Sequence, residues 1–334
     1  MKIGACAANG PITDADLALF KLGGFEAAKL MANDHSGADL GRLWDVGVRT
    51  FTLRLRDSLW DRLDRNGNPI LRPDGSKETY YPDWRDYVAK AVQDVPAFYW
   101  ELKARDPKAI LLLQYDCEPN TNWLRHDKGP GDYQWWVRQG VPRLRVDLAS
   151  LGITDFRLIS PPLSFDPKMW SLGKRNPSVW ILDDWFAGYM WTDGGKVPSL
   201  LGLFDMVGVN AYWQHRAGER QDNIDEMYDP SYGACFEQMH QRAGGKPVVL
   251  LELNNSSNDR AEPPSAEDLD RARVRDLPEY LGWLDTFTYM DQAHIFMVGG
   301  SWSGFWVTET QARAISRVRQ PGDVSNRITG PVRV

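Results

Sequence analysis

Short apolar runs that alternate with helical patterns are the feature that most constrains how this chain folds. Eight of these runs are predicted to be strands: 3–8, 27–31, 50–55, a run beginning at Ile110, 156–160, 206–213, 248–253 and 295–299. The runs at Ile110 and Val248 are almost purely aliphatic, as is typical of strands buried on both faces of a parallel sheet. The helices between and after them are predicted at 14–21, 37–44, 84–105, 133–151, 180–190, 232–243, 278–290 and 308–318. The alternation predicts an α/β fold, a single (β/α)8 (TIM) barrel.

The lengths of the connections support the same fold. Connections into strands are short, such as Asp106–Lys108 and Gly244–Lys246, whereas those leaving strands three to seven are long and rich in Trp, Asp, Asn and Pro. The loop at 56–82 carries turn signals that fit a hairpin. Long loops at the carboxyl ends of the strands form the functional face of such barrels. We expect a catalytic barrel over residues 1–320 and a polar tail over 321–334.

Composition narrows the classes of partner. The net charge is −6 and no basic run occurs, so nucleic acid is not an expected partner. No apolar run approaches a membrane span, and the start of the chain lacks the apolar stretch of a signal peptide. The sequence fits a cytoplasmic or virion-borne protein, or an exported one whose signal has been removed. Its oligomeric state is left open.

Metal and cofactor motifs are not found. The five histidines lack metal-ligand spacing, and neither a G-x-S-x-G motif nor a phosphate-binding glycine loop occurs. The three cysteines are widely spaced, which predicts reduced thiols. We therefore expect no metal and no cofactor.

Two glutamates mark the predicted functional face. Glu118 ends the fourth strand, and Glu252 lies at the end of the seventh. Strands four and seven are well apart around an eight-stranded ring, so both side chains are expected to face each other across its mouth. Two carboxyl groups about 5–5.5 Å apart suit a retaining glycosidase. Repulsion and partial burial would keep one protonated while the other stays ionised.

These glutamates carry a resemblance to a known superfamily. Glu118-Pro119-Asn120 after an aliphatic fourth strand, with Glu252 in L-E-L-N on the seventh, resembles the retaining (β/α)8 glycoside hydrolases of the clan A type. Cellulases, mannanases and β-xylosidases belong to that superfamily. The resemblance implies a hydrolase of O-glycosidic bonds in an oligo- or polysaccharide, with Glu118 as acid/base and Glu252 as nucleophile.

The resemblance also suggests the surrounding residues. It implies that Asn210 and Tyr212 on the sixth strand hold the nucleophile, with Tyr212 as hydrogen-bond donor. Trp302, after the eighth strand, would form the floor of the sugar site, and Arg54 would reach the pocket. The other candidate substrate-binding residues are Asp116, Asn120 and Trp213. One position departs from the family pattern, because Cys117 replaces the usual Asn before the acid/base, and a thiol is a weak donor.

Two alternatives remain at this point. Asp116-Cys117-Glu118 is also a D-x-E, similar to the fourth-strand motif of chitinase-like and muramidase-like barrels. In a strand Asp116 and Glu118 would point to the same side. Asp116 would then orient an N-acetyl group while Glu118 acts as the acid. The second alternative, motivated by Cys117, is a non-catalytic barrel that binds glycans or has a structural role.

Overall fold

A computed structural model describes residues 1–7, 9–57, 59–119, 130–163, 186, 198–213, 226–230, 232–256, 264–299 and 305–318. Ten strands are found in this part of the chain. They are β1 (Lys2–Ala7), β2 (Ala27–Met31), β3 (Thr50–Arg54), β4 (Trp60–Asp61), β5 (Thr79–Tyr80), β6 (Leu111–Gln114), β7 (Phe156–Ile159), β8 (Val207–Trp213), β9 (Val248–Asn255) and β10 (Met290–Val298). Eight of them form the large sheet, and β4 and β5 form a separate antiparallel hairpin.

The large sheet confirms the predicted barrel. Its order is β7-β6-β3-β2-β1-β10-β9-β8, and every pairing within it is parallel. A parallel bridge between Ile159 and Met206 joins β7 to the residue before β8, so the sheet closes on itself. Closure leaves no unpaired edge and brings the carboxyl ends of all eight strands to one rim.

Seven helices are described along the chain. They are α1 (Asp14–Gly23), α2 (Gly37–Asp45), α3 (Trp84–Arg105), α4 (Pro130–Ser150), α5 (Cys235–Arg242), α6 (Ala266–Leu284) and α7 (Glu309–Ser316), with a 3-10 turn at Leu200–Leu203. Thr13 and Ser36 begin α1 and α2 with reciprocal capping boxes to Asp16 and Asp39. No helix of the described part is both long and apolar enough to cross a membrane.

The core has an inner and an outer part. Alternate residues of the strands pack outward against the helices in one large cluster. A smaller cluster lies inside the barrel and is formed by Leu112, Ile159, Met206, Val249 and Leu251. Apolar packing of the interior therefore reaches Leu251, and Glu252 follows directly after it. The barrel interior changes from apolar to ionisable within one residue of β9.

One predicted helix had wrong boundaries. The sequence predicts a helix over 278–290, but α6 starts at Ala266, capped by Ser265, and runs through Pro278 to Leu284. Its buried face includes the charged residues Arg273 and Asp276, so apolar residues do not recur at helical spacing over this part of the sequence. The Arg273 guanidinium donates to the carbonyl oxygen of Asn255 at 2.6 Å, so this buried charge is hydrogen-bonded. Correspondingly β10 begins at Met290, five residues before the predicted start of that strand.

The hairpin anticipated at 56–82 is present as β4 and β5, with Trp60 opposite Tyr80. The helix predicted over 84–105 is confirmed as α3, which continues through Pro96 from Trp84 to Arg105. The predicted helix at 180–190, apart from position 186, and the tail at 321–334 lie outside the described residues.

Candidate active site

A bulge in β9 turns Glu252 into the barrel. Val209 of β8 is paired with Leu250, but the next residue, Asn210, is paired with Glu252, so Leu251 is the extra residue. The pairing with β10 shifts over the same stretch. Val249 and Leu251 already face the interior, so strict alternation would direct Glu252 outward toward the helices. The bulge shifts the alternation by one residue and re-aims Glu252 at the interior.

Two cations approach the Glu252 carboxylate from neighbouring strands. Lys29, in the middle of β2, places its Nζ 2.7 Å from Glu252 Oε1. Arg54, the last residue of β3, brings a guanidinium nitrogen to 3.9 Å from the same oxygen. The Lys29 amine also lies 3.4 Å from the Leu251 carbonyl oxygen, to which the Cys6 thiol donates at 3.2 Å. Both side chains therefore supply donors to the carbonyl at the bulge.

The other carboxylate oxygen of Glu252 is held by β8. The Tyr212 hydroxyl donates to Oε2 at 2.9 Å, and the Asn210 Nδ2 donates to the same oxygen at 3.2 Å. Asn210 and Tyr212 are two residues apart in the strand and therefore face the same side. With Lys29, this gives the carboxylate three hydrogen-bond donors, enough to favour its ionised form.

Glu118 reaches the same place from the segment after β6. Its backbone N–H donates to the Pro162 carbonyl oxygen at 3.0 Å, which ties this segment to the one after β7. The Asn210 Nδ2 donates to Glu118 Oε1 at 2.8 Å as well as to Glu252. The two carboxylate oxygens joined by this amide are therefore at most 6.0 Å apart, the length of the two bonds laid end to end.

The two carboxyl groups differ in their affinity for a proton. Burial and the nearby negative charge of Glu252 raise the pKa of Glu118 from 4.5 to about 7, and the Asn210 hydrogen bond offsets only part of this. Burial also opposes ionisation of Glu252, but the positive charges of Lys29 and Arg54 outweigh it and lower its pKa. Near neutral pH one group is therefore an ion and the other is half protonated.

Both cations keep their charge despite burial. Burial by itself lowers the pKa of Lys29, but the Glu252 charge more than compensates and leaves that pKa raised. The same opposition leaves the pKa of Arg54 raised, with Asp57 as the main compensating charge. The Arg54 Nε donates to Asp57 Oδ1 at 3.1 Å. His294, inside the barrel, has its pKa lowered to about 3 by burial and by Lys29, so it is neutral at physiological pH.

Cys117 lies beside this group as a neutral thiol. Its side chain is buried, and burial raises its pKa well above the ordinary value in spite of the neighbouring charge of Arg54. A neutral thiol gives a weak hydrogen bond and is a poor nucleophile. Cys117 is therefore close enough to Glu118 and Glu252 for their charges to act on its thiol, but the thiol itself adds no charge to the site.

The predicted site residues fall into three groups. The structure brings together Glu118, Glu252, Arg54, Asn210 and Tyr212. Two others are placed elsewhere, as described next. Asn120 and Trp302 lie outside the described residues, so their roles stay predictions.

Trp213 is a correction to the predicted site. It is fully buried, and its ring lies 4.8 Å from that of Tyr280 on α6, between the barrel wall and the helix layer. Because Asn210 and Tyr212 face inward, the next residue in the strand must face outward. Trp213 is therefore part of the core.

Asp116 is the second correction. The expectation that it shares a side with Glu118 assumed an extended strand, but β6 ends at Gln114, and Asp116 and Glu118 have φ values of 59° and 45°. The Asp116 side chain is fully buried. Its charge, second to burial, raises the pKa values of Tyr87, Tyr115 and Tyr133, which places it among these phenols.

Lys29 is the functional residue that sequence reasoning missed. The signal was present, because a lysine in the middle of A-A-K-L-M interrupts an otherwise apolar strand. A buried lysine requires a partner, and the acidic residue at the end of another predicted strand was the obvious one. Among the described residues, no three side chains of the His, Cys, Asp or Glu type are grouped so as to hold a metal ion.

The fold and the site together define a class of protein. It is a (β/α)8 barrel with two carboxyl groups at the carboxyl ends of its strands, one with a raised and one with a lowered pKa. The sequence matches no protein-family model and no curated protein. Solved structures do match the fold, at low identity.

Three of these structures show the range. Bacteroides uniformis β-glucuronidase 2 has a TM-score of 0.52 and 14% identity, covering 88% of this chain, which spans only 30% of that enzyme. A GH128 (subgroup II) endo-β-1,3-glucanase from Sorangium cellulosum has a TM-score of 0.51 and 14% identity over 94% of this chain and 98% of its own. A GH26 β-mannanase from Bacteroides ovatus has a TM-score of 0.52 and 12% identity over 96% and 88%. At these identities the similarity establishes the fold and confirms the expected barrel.

Proposed function

We propose that this chain is a glycoside hydrolase that cleaves O-glycosidic bonds with retention of configuration, using Glu252 as nucleophile and Glu118 as acid/base. The observation that carries the proposal is the Asn210 amide, which donates to one oxygen of each carboxyl group. The two oxygens are at most 6.0 Å apart, and one group has a raised and the other a lowered pKa. This separation suits a retaining pair, about 5–5.5 Å apart, better than an inverting pair at about 6.5–9.5 Å. The β-glucuronidase, endo-β-1,3-glucanase and β-mannanase that share the fold support a carbohydrate substrate.

In the proposed reaction each group has one part. Glu252, ionised beside Lys29 and Arg54, attacks the anomeric carbon and forms a covalent glycosyl ester. Glu118, protonated in the competent fraction of the enzyme, gives its proton to the departing glycosidic oxygen. Glu118 then takes a proton from water, which attacks the anomeric carbon and releases Glu252. Two inversions give net retention.

A pH dependence follows from the two pKa values. The rate requires Glu252 ionised and Glu118 protonated, so it should rise with pH through the lowered pKa of Glu252 and fall above the Glu118 pKa of about 7. The result is a bell-shaped profile of kcat/KM with its basic limb close to neutrality.

The two alternatives have different support. The D-x-E mechanism needs Asp116 to reach the substrate, and the full burial of Asp116 among Tyr87, Tyr115 and Tyr133 argues against it. A glycan-binding barrel without turnover keeps one observation in its favour. Cys117, a weak donor, occupies the position where the superfamily has an amide that binds the sugar 2-hydroxyl.

The test compares wild type, Glu118→Gln, Glu252→Gln and Glu279→Gln on a panel of aryl glycosides and polysaccharides. Glu279 is the matched control because it lies on α6, where its carboxylate accepts from the Tyr228 hydroxyl at 3.1 Å. We expect turnover to be abolished or strongly reduced by the first two changes and kept by the third. NMR of the first-formed anomer should show retention. Inverted product would refute the double displacement, and tight glycan binding by an inert wild type would favour the binding barrel.

A further inference from the structure

A cavity opens at the hairpin formed by β4 and β5 and is lined in part by the segment that follows β3. Its volume is about 930 Å³, near the upper end of the range of about 300–1,000 Å³ for ligand sites. Its described lining includes Asn33, Asp57, Trp60 and Tyr80. Asn33 follows β2 and Asp57 follows β3, so the cavity lies at the same rim of the barrel as the two carboxyl groups.

A continuous set of contacts connects the cavity to Glu252. Asp57, which lines the cavity, accepts a hydrogen bond from the Arg54 Nε at 3.1 Å. Arg54 in turn lies 3.9 Å from the Glu252 carboxylate. The Arg54 side chain is therefore the one group in this set of contacts that lies between the cavity wall and the Glu252 carboxylate.

Two aromatic rings of the hairpin, those of Trp60 and Tyr80, line the cavity. The indole N–H of Trp60 donates to the Asp57 carbonyl oxygen at 2.8 Å, which sets the orientation of its ring. The Trp60 and Tyr80 rings meet edge to face, with centroids 6.3 Å apart, and 37% of Tyr80 is exposed. A sugar ring presents a face of C–H groups and a rim of hydroxyls, so it packs on such a ring while its hydroxyls bond to polar neighbours.

The charges of the lining point to an uncharged ligand. Four charged residues line the described cavity, two of each sign, and each has an oppositely charged partner. The pairs are Arg56 with Asp94 at 3.0 Å, Asp57 with Arg54 at 3.1 Å, Asp61 with Lys77 at 2.6 Å and Arg62 with Glu78 at 3.8 Å. Paired arginines offer hydrogen bonds to hydroxyls without the net positive field that a uronate or a sulfated sugar requires.

We propose that this cavity is a subsite that holds neutral sugar units of the same glycan whose bond is cleaved at Glu118 and Glu252, with Trp60 as its stacking platform. The inference rests on the proposed function, and it specifies the substrate as an oligo- or polysaccharide of neutral sugars.

The test measures binding rather than turnover. Glu118→Gln protein is titrated by calorimetry with hexasaccharides of glucose and of mannose, and with a glucuronate oligomer of equal length. Trp60→Ala and Trp60→Phe are added to this background, with Trp100→Ala as the matched control. Trp100 lies on α3, is 51% exposed and does not line the cavity. Circular dichroism verifies that each variant is folded.

We expect a neutral hexasaccharide to bind, Trp60→Ala to weaken its binding about tenfold, and Trp60→Phe to restore most of the affinity. Trp100→Ala should leave binding as it was. Failure of every neutral hexasaccharide to bind, or unchanged affinity in Trp60→Ala, would overturn the subsite. Tighter binding of the glucuronate oligomer would overturn its selectivity.

The outcomes separate this inference from the proposed function. Trp60-dependent binding by a wild type that never hydrolyses glycosides would leave the subsite standing and remove the catalytic proposal. Hydrolysis by the wild type, together with glycan binding that is unchanged in Trp60→Ala, would support the catalytic proposal and overturn the subsite.

Discussion

Replacing Lys29 with Met removes one charge from the candidate site while it occupies nearly the same space. Lys29 is 1% exposed, and its amine lies 2.7 Å from the Glu252 carboxylate. Two unit charges 4 Å apart interact by about 4 kcal/mol at an effective dielectric constant of about 20. At about 1.4 kcal/mol for each pKa unit, loss of this closer pair should move the titration of Glu252 by roughly two to three pH units, with Arg54 left as partial compensation.

The sign of the change follows from the direction of the wild-type pKa. The pKa of Glu252 is lowered in the folded protein, so its ion-pair contribution is present above the unfolded value and is lost as the pH falls through the folded one. Without Lys29 that loss occurs at higher pH. In Lys29→Met the acid limb of kcat/KM should therefore move to higher pH. Lys29 is the largest charge acting on Glu252 and only a minor one acting on Glu118, so the basic limb should move less and the bell should narrow.

Stability should fall as well, because removing one partner of a buried ion pair costs about 3–5 kcal/mol. Lys246→Met is the matched control for this loss. The Lys246 amine donates to the Leu201 carbonyl oxygen at 2.7 Å, before the start of β9 and away from the carboxylates. This control should be less stable than wild type but keep its pH limbs. If folded Lys29→Met shows an acid limb at the wild-type position, the assignment of Lys29 is wrong.

Three further predictions follow from the same contacts. Tyr212→Phe removes a charge-assisted hydrogen bond to Glu252 worth about 1.5–3 kcal/mol. The acid limb of the kcat/KM profile should therefore move to higher pH by roughly one to two pH units. A limb at the wild-type pH would exclude Tyr212 as a donor to ionised Glu252. The Glu118 pKa is raised from 4.5 to about 7, so its contribution to stability is present below 4.5 and lost as the pH rises through 7. The free energy of unfolding in urea, taken as Glu118→Gln minus wild type, should therefore be about 1–3 kcal/mol larger at pH 8 than at pH 5. An equal difference between the two proteins at both pH values would contradict the burial of this carboxyl. Burial raises the pKa of all three cysteine thiols, so they should react slowly in the folded protein. Mass spectrometry after iodoacetamide treatment at pH 7.5 should find them modified in urea and intact in the native state. Rapid labelling of native Cys117 would show an accessible thiolate instead.

Much of the barrel was predictable because its signals are local. Aliphatic runs such as Leu111–Leu113 and Val248–Leu251 are continuous in sequence, and their alternation with helices allows few topologies. The position of α6 was not predictable in the same way. Its buried face includes Arg273 and Asp276, both of which contact Asn255 at the end of β9.

The candidate site was predictable in its residue types but only partly in its orientation. Glu252 faces the interior only because of the bulge at Leu251, which depends on pairing with two neighbouring strands and leaves no mark in the sequence. Trp213 is a different case. Simple alternation from Asn210 and Tyr212 already places it on the opposite face, so its outward position could be predicted from the strand alone.

The backbone at Glu118 has a consequence for how related sequences vary. A φ of 45° lies in the left-handed region, where glycine is unstrained and a long side chain costs of order 1 kcal/mol or more. If the proposed role of Glu118 is right, relatives that have lost the activity should often carry glycine here, because glycine removes the strain. Glutamate retained among distant relatives would then indicate selection for its side chain at the expense of stability.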